Sequence, residues 1–337
     1  MSTVRIAADE LAGKVIDVHS HVGVSLKAYA TLEYPYAQTL EGLYYRQKAC
    51  GVDVNVVFPF TADLFFDPHE LVKGVAKPAA RPLSPAPYAV ENRLLMDEVF
   101  RFCPEYEGRF LPFVSIDPER DVQAQMRNLT ELEQKFPIYG IKVNPVLCQS
   151  RIRGLLESGG AFLAFARERD IPFLIHTMPY PGEAYSGTAD VFEVIEQNRD
   201  IRFCLAHGIL FHDGYLKRAD VCPNVWVDTA ALKIQVQMVH ERHPVISQPD
   251  EVMPGDYSDH RKVMIRLASR FPRTIIWGTD SPAYSYICRR RQSESVMSEF
   301  RLKARYEDEC AALDALSEEQ RMQVCNRNTR EFLFGMS

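Results

Sequence analysis

Val15-Ile16-Asp17-Val18-His19-Ser20-His21-Val22-Gly23 is an apolar run that passes into polar, imidazole-bearing residues and stops at a glycine. β-Branched residues bounded by turn formers read as a strand. In an extended chain, residues two apart point the same way, so His19 and His21 present two imidazoles to one point. Seven further runs of this kind follow. With the first, Val15–His19, they are Val54–Phe60, Phe110–Ile116, Tyr139–Asn144, Pro172–His176, Arg202–His207, Val225–Thr229 and Thr274–Gly278. Between them the apolar period lengthens to that of helices, expected over Thr39–Cys50, Ala89–Cys103, Glu119–Phe136, Gly160–Asp170, Ala189–Asn198 and Ser258–Arg270. Only the crossover after the sixth strand looks short. Runs such as Ile171–Ile175 and Val54–Phe58 are nearly all apolar, as strands covered on both faces must be. Eight strands alternating with helices predict a (β/α)8 TIM barrel of the α/β class.

Such a barrel needs ~250 residues, and the chain has 337. We expect one domain over residues 1–337, the surplus lying in long loops at the C-terminal face and in extra C-terminal helices. Three loops are candidates for a lid, a pocket wall or a surface insertion: Asp63–Pro87 with five prolines, Pro179–Thr188 and Gln237–Asp256. Each is read as following a strand, hence as lying on the face where barrel enzymes keep their active sites.

Composition narrows the function. Lysine plus arginine number 39 against 45 acidic residues, a net charge of −6, which argues against a nucleic-acid partner. The Arg289-Arg290-Arg291 run is expected to be solvated helix surface. No run reaches the ~18 apolar residues of a membrane span, and Met1 to Glu10 lacks a secretory apolar core. A cytoplasmic protein with no membrane partner is therefore expected. Eight dispersed cysteines without a Cys-x-x-Cys pair are expected to be reduced.

A His-x-His pair alone is a weak metal signal. It gains weight because His176 closes the fifth strand, His207 the sixth, and Asp280 follows the eighth, all at the level of His19 and His21. Nitrogen and carboxylate donors gathered at one rim suit a divalent ion. Asp17, two residues before His19, is expected deeper on the same face as a hydrogen-bonding support. Asp228, at the seventh strand's end, is read as orienting a loop or substrate, with a purely structural role equally open. His212, His240 and His243 are read as surface or lid residues. Phe60, Tyr180, Tyr185 and Tyr284 are candidates for lining an apolar pocket with hydroxyl handles.

The segments Val15-Ile16-Asp17-Val18-His19-Ser20-His21, Gly140-Ile141-Lys142-Val143-Asn144-Pro145, Ile175-His176-Thr177, Ala206-His207-Gly208 and Trp277-Gly278-Thr279-Asp280-Ser281-Pro282, taken in order, resemble the signatures of the amidohydrolase superfamily. The most similar branch is the amidohydrolase-related group, which mixes hydrolases with decarboxylases of the aminocarboxymuconate-semialdehyde and γ-resorcylate types. Asn328-Thr329-Arg330-Glu331-Phe332 is similar to that branch's closing helix.

The resemblance implies one metal ion, usually zinc and sometimes manganese, held by His19, His21, His176 and Asp280. It implies that His207 stands beside an activated water, with Asp280 or His207 accepting and returning the proton. Lys142 occupies the strand on which binuclear members carry a carboxylated, metal-bridging lysine. With one metal favoured, Lys142 is expected as a charge partner or substrate anchor, and Tyr180 and Phe60 as substrate contacts.

These expectations make the chain a metal-dependent hydrolase of an ester, lactone or amide of a small carboxylic-acid-type substrate. A non-oxidative decarboxylase of an aromatic or unsaturated carboxylic acid is the alternative. His19 stands where resorcylate-type decarboxylases place Glu, which disfavours that class but leaves the aminocarboxymuconate type open. A barrel that binds without catalysis would show degraded ligand positions, whereas all are filled here. A homodimer is implied by the branch alone.

Overall fold

Runs that are apolar along their whole length need cover on both faces, and the structure supplies it by curling them into one sheet inside a coat of helices. The structure is a computed structural model that describes residues 5–180, 182–243, 250–291 and 297–335. The barrel strands are β1 (Ile16–Val24), β2 (Val54–Pro59), β3 (Phe110–Ile116), β4 (Gly140–Val143), β5 (Phe173–Ile175), β6 (Phe203–Leu205), β7 (Val225–Asp228) and β8 (Ile275–Ile276). Each pairs in parallel with the next. A two-residue strand, Ala37–Gln38, runs antiparallel against the end of β1. This is the expected TIM-barrel architecture.

The sheet closes between the two ends of the chain. Val18 donates its amide to the Trp277 carbonyl at 3.1 Å, Asp280 to that of His19 at 2.8 Å, and His21 to that of Ser281 at 2.6 Å. Gln38 staples the seam, giving its amide to the His21 carbonyl at 2.7 Å and accepting the Ser281 hydroxyl at 2.9 Å.

The barrel interior holds Ile16, Val18, Val54, Val56, Phe58, Leu111, Phe113, Leu174, Cys204, Trp226 and Ile276. Phe332 and Leu333, from helix Asn328–Phe334, pack into this cluster at the N-terminal end, beside Arg202, whose Nε donates to the Phe332 carbonyl. Helices Tyr306–Asp314 and Glu318–Met322 complete the expected C-terminal set. A second, larger cluster lies between strands and helices. Helix Thr188–Glu196 shows why: Val191, Phe192, Val194 and Ile195 form one buried stripe.

Several expectations are corrected. The register slips in β1, where Asp17 pairs with Asn55 and Ser20 already with Val57. Two residues, Val18 and His19, thus oppose one, Val56, and a bulge of this kind breaks strict alternation. Val18 stays with the interior cluster while Asp17 turns away from it toward Tyr306, so Asp17 is not deeper on the face of His19. The crossover after β6 is, as expected, the shortest between consecutive barrel strands, and it still contains helix Asp213–Asp220. The stretch expected as loop from Gln237 is helical through His240, because Leu232–His240 buries Leu232, Ile234, Gln235 and Val236; residues 244–249 lie outside the described residues.

Arg289–Arg291 belong to a strand, since Tyr286–Arg291 pairs antiparallel with Met297–Leu302. The 63–87 insertion is ordered around its own apolar cluster of Phe65, Phe66, Leu71, Ala76, Tyr88 and Cys148. Among the described residues, seven cysteines are unpaired by disulfides, as expected. No helix among them is long and apolar enough to cross a membrane.

At the closing seam a β-carbon on Gly278 would lie 2.8 Å from Cβ of His19 and 3.2 Å from its backbone nitrogen. Gly278→Ala should therefore push β8 off β1 and lower stability by ~1–3 kcal/mol, the usual cost of overpacking. Urea denaturation measures this; an unchanged midpoint would show that the seam has room to spare.

Candidate metal centre

The outgoing ends of β1 and β8 meet at the C-terminal rim. There His19, His21 and Asp280 each bring a ligand-capable atom within 4.8 Å of the others. Asp280 Oδ1 stands 3.3 Å from His19 Nε2 and 3.2 Å from His21 Nε2. It has no hydrogen-bond partner although it is buried. The Asp280 main chain is in the left-handed region, φ 62°, a conformation unfavourable for a residue with a β-carbon unless the surroundings impose it.

Tautomers follow from what the other ring nitrogens face. His21 Nδ1 lies 3.4 Å from the Pro59 carbonyl, an acceptor, so Nε2 carries the lone pair. Burial pushes this imidazole down to about 4, which keeps it neutral at pH 7. His19 Nδ1 lies 2.8 Å from Asp228 Oδ2 and is likewise the protonated nitrogen.

Burial opposes charge on His19, as does Lys142, yet the Asp228 and Asp280 carboxylates outweigh them and hold its imidazole above the ordinary range. Burial would raise Asp280, but His19 and the surrounding imidazoles hold it well below the usual carboxylate range. A carboxylate oxygen without a donor, facing two Nε2 atoms, is a place where a cation satisfies every member. The residues therefore fit a divalent ion.

Around this core sits a second pair. His176 Nδ1 lies 2.9 Å from His207 Nε2, and His207 Nδ1 lies 3.2 Å from the Ala230 carbonyl. With Nδ1 of His207 donating to that carbonyl, its Nε2 accepts from Nδ1–H of His176, which leaves His176 Nε2 as the free lone pair. Burial pushes both imidazoles below their ordinary range. His207 begins a run of positive φ from residue 207 to 211, with values from 44° to 65°. This left-handed turn is costly for residues other than glycine, and it turns Leu210 into the cavity wall.

The cavity over these groups holds about 360 Å³, at the small end for ligand pockets. His21, His176, His207 and Asp280 are at its floor, and Phe60, Leu147, Met178, Leu210, Ile234 and Met238 are prominent in its walls.

The chain matches the amidohydrolase family over residues 60–335, and it belongs to that family. It is an enzyme of the hydrolase or lyase class, in a superfamily that generally uses a metal. No curated protein matches it. Solved structures do. A 2,6-dihydroxybenzoate decarboxylase from Rhizobium is 12% identical with a TM-score of 0.55, covering 95% of this chain and 98% of that one. An amidohydrolase 2 from Bifidobacterium longum subsp. infantis has the same identity and coverages with a TM-score of 0.52. A dihydroorotase from Campylobacter jejuni is 13% identical with a TM-score of 0.50, covering 94% of this chain and 81% of that one. At these identities the likeness is one of fold.

Of the site residues expected from sequence, His19, His21 and Asp280 come together as a ligand set, with His176 and His207 joined to each other beside them. Phe60 lines the cavity and packs on the His21 ring. Lys142 does not line it: the side chain is buried below, with Nζ 3.1 Å from His19 Nε2 and 4.6 Å from the centre of the Phe58 ring. Its ammonium faces His19 from beneath the cavity, and burial lowers it to about 8.

Tyr180 is 40% exposed and outside the lining. Tyr185 is outside it too, and Tyr284 is buried elsewhere, accepting a hydrogen bond from Arg46. His212 caps helix Asp213–Asp220, and His243 lines the cavity as a lid residue would. Asp17 supports the centre as expected, taking the His19 amide at 3.1 Å, but from the helix side, where it also accepts the hydroxyls of Thr279 and Tyr306. The sequence reading gave no sign of Lys27, Gln235 or Tyr286 in the walls. They come from the short helix Leu26–Ala30, helix Leu232–His240 and a hairpin, whose positions only packing sets.

Zinc titration tests the set. The wild-type chain should bind one equivalent, and His21→Ala and Asp280→Asn should each weaken binding by more than the ~10–100-fold that follows loss of even an outer partner. Tyr180→Ala should bind as wild type; equal affinity in all four proteins would remove the site.

Proposed function

We propose that the chain is a metal-dependent hydrolase acting on an ester, lactone or amide of a small, mainly apolar molecule. The observation that carries this is the buried Asp280 Oδ1, without a hydrogen-bond donor and facing the Nε2 atoms of His19 and His21 on a cavity floor. His19, His21 and Asp280, with His176 as a fourth candidate ligand, would hold a divalent ion, which when bound would supply a water of pKa lowered toward ~7 and polarisation of a carbonyl. Zinc is the first choice and manganese the second.

The chain's own contribution is proton handling and shape. Asp280 can take the proton of an attacking water and return it to the leaving group, and His207 Nε2 can do the same once its hydrogen bond from His176 Nδ1–H opens. His207 is kept neutral, and therefore basic, by burial. His176 holds the His207 ring through its Nδ1–H. The apolar walls exclude water and seat a hydrocarbon body. Among the described residues no arginine lines the cavity; apart from the histidines, the one basic lining residue is Lys27. An uncharged carbonyl substrate fits such walls better than one that brings an additional carboxylate.

A panel of lactones, amides and aromatic carboxylic acids, with zinc or manganese added, tests the reading. Hydrolysis products without carbon dioxide are expected, and His207→Ala should lower kcat by ~10²–10⁴-fold, the usual share of a general base, while zinc content stays constant. Carbon dioxide release without a hydrolysis product would assign the chain to decarboxylation, the chemistry named for the similar 2,6-dihydroxybenzoate decarboxylase.

A further inference from the structure

Asp228 closes β7, completely buried, and each of its carboxylate oxygens has separate work. Oδ2 faces Nδ1 of His19 at 2.8 Å. Oδ1 accepts the amides of His207 at 2.8 Å and Ala230 at 3.0 Å. One rigid carboxylate thus touches the ring of one site histidine and the backbone of another, although these belong to β1 and the end of β6. We propose that Asp228 is the positioning residue of this centre, fixing His19 with its proton on Nδ1 so that Nε2 faces the ion, and anchoring the left-handed turn that carries His207.

The inference rests on the metal-site reading given above. A neutral imidazole offers one lone pair, and which nitrogen carries it is decided by what the other nitrogen meets. An acceptor-only carboxylate at Nδ1 selects the tautomer a ligand at Nε2 needs, and such partners also orient the ring. The second oxygen matters because His207 has φ 65° and the next four residues also have positive φ. Residues held there persist only when the surroundings over-determine them. The His207 amide is the first of that turn, and Asp228 Oδ1 is its acceptor.

Other groups near the carboxylate are consistent with this. Cys204 Sγ lies 3.6 Å from Oδ2.

The test uses Asp228→Asn beside a control, Asn224→Ala, which removes a buried hydrogen bond at the opposite end of β7, where Asn224 Nδ2 donates to the Ile201 carbonyl at 2.8 Å. Both are assayed for folding by circular dichroism and for zinc by competition with a chromophoric chelator. Asp228→Asn should bind zinc ~10–100-fold more weakly, while Asn224→Ala, though less stable, binds as wild type. Equal affinity in a folded Asp228→Asn protein overturns the inference, as does an equal loss in the control.

Nitrogen-15 NMR of the zinc-loaded wild type reads the same point without a variant, should Asp228→Asn fail to fold. His19 should show a protonated Nδ1 and a zinc-bound Nε2; the reverse pattern overturns the assignment. Wild-type protein that takes up no zinc overturns the metal-site reading and this inference with it, a result distinct from an unaffected Asp228→Asn.

Discussion

The closure of the sheet between its first and last parallel strands is the constraint on which the site depends. Three main-chain hydrogen bonds, from Val18, His21 and Asp280, join segments more than 250 residues apart in the chain. Two of these bonds, His21 to Ser281 and Asp280 to His19, are made by the residues that face one another as ligand candidates. The backbone ladder that ends the barrel is therefore the same structure that sets the spacing of the centre. Gly278 is the contact at which β8 comes close enough for this to happen. Loop-closure entropy of so long a segment grows only slowly with length, so the burden falls on local fit at the seam.

Around the seam, buried polar groups are matched in layers. Asp17 gathers the Thr279 amide and hydroxyl, the Ser20 hydroxyl and the Tyr306 hydroxyl on the helix side of β1. Its carboxyl is nevertheless raised to about 6, since complete burial outweighs the donors that stabilise its charge. On the interior side, Asp228 and Asp280 balance His19, while Lys142 approaches the same imidazole from below. Two carboxylates and one ammonium around a shared neutral imidazole leave one negative charge, which a bound cation would offset. Such networks are costly to leave incomplete, which is why the orphaned Asp280 oxygen is informative.

Much of the fold was legible because a parallel strand buried on both faces has an unmistakable composition. Val54–Phe58 and Ile171–Ile175 could hardly be anything else, and the alternation with helices left few architectures. The candidate ligands were legible for a related reason: polar residues that end apolar strands gather at one rim. What failed was detail that strict two-residue periodicity cannot contain. The bulge at Val18 and His19 turned Asp17 to the other face, and helix Leu232–His240 took in the first residues, Gln237 to His240, of an expected loop. Tyr180 looked like a pocket residue by type and position along the chain, but it is exposed and is not among the residues that line the cavity.

By itself the sequence determined the kind of protein, because hydrophobic periodicity is a local property and the residues that end each strand are neighbours along the chain. Tertiary structure alone decided which nitrogen of each site histidine carries the proton, that Asp228 serves both His19 and His207, and that Lys142 sits beneath the cavity instead of in its wall. Those are relations between side chains on different strands, set by register, bulges and packing, and no local pattern of residues encodes them.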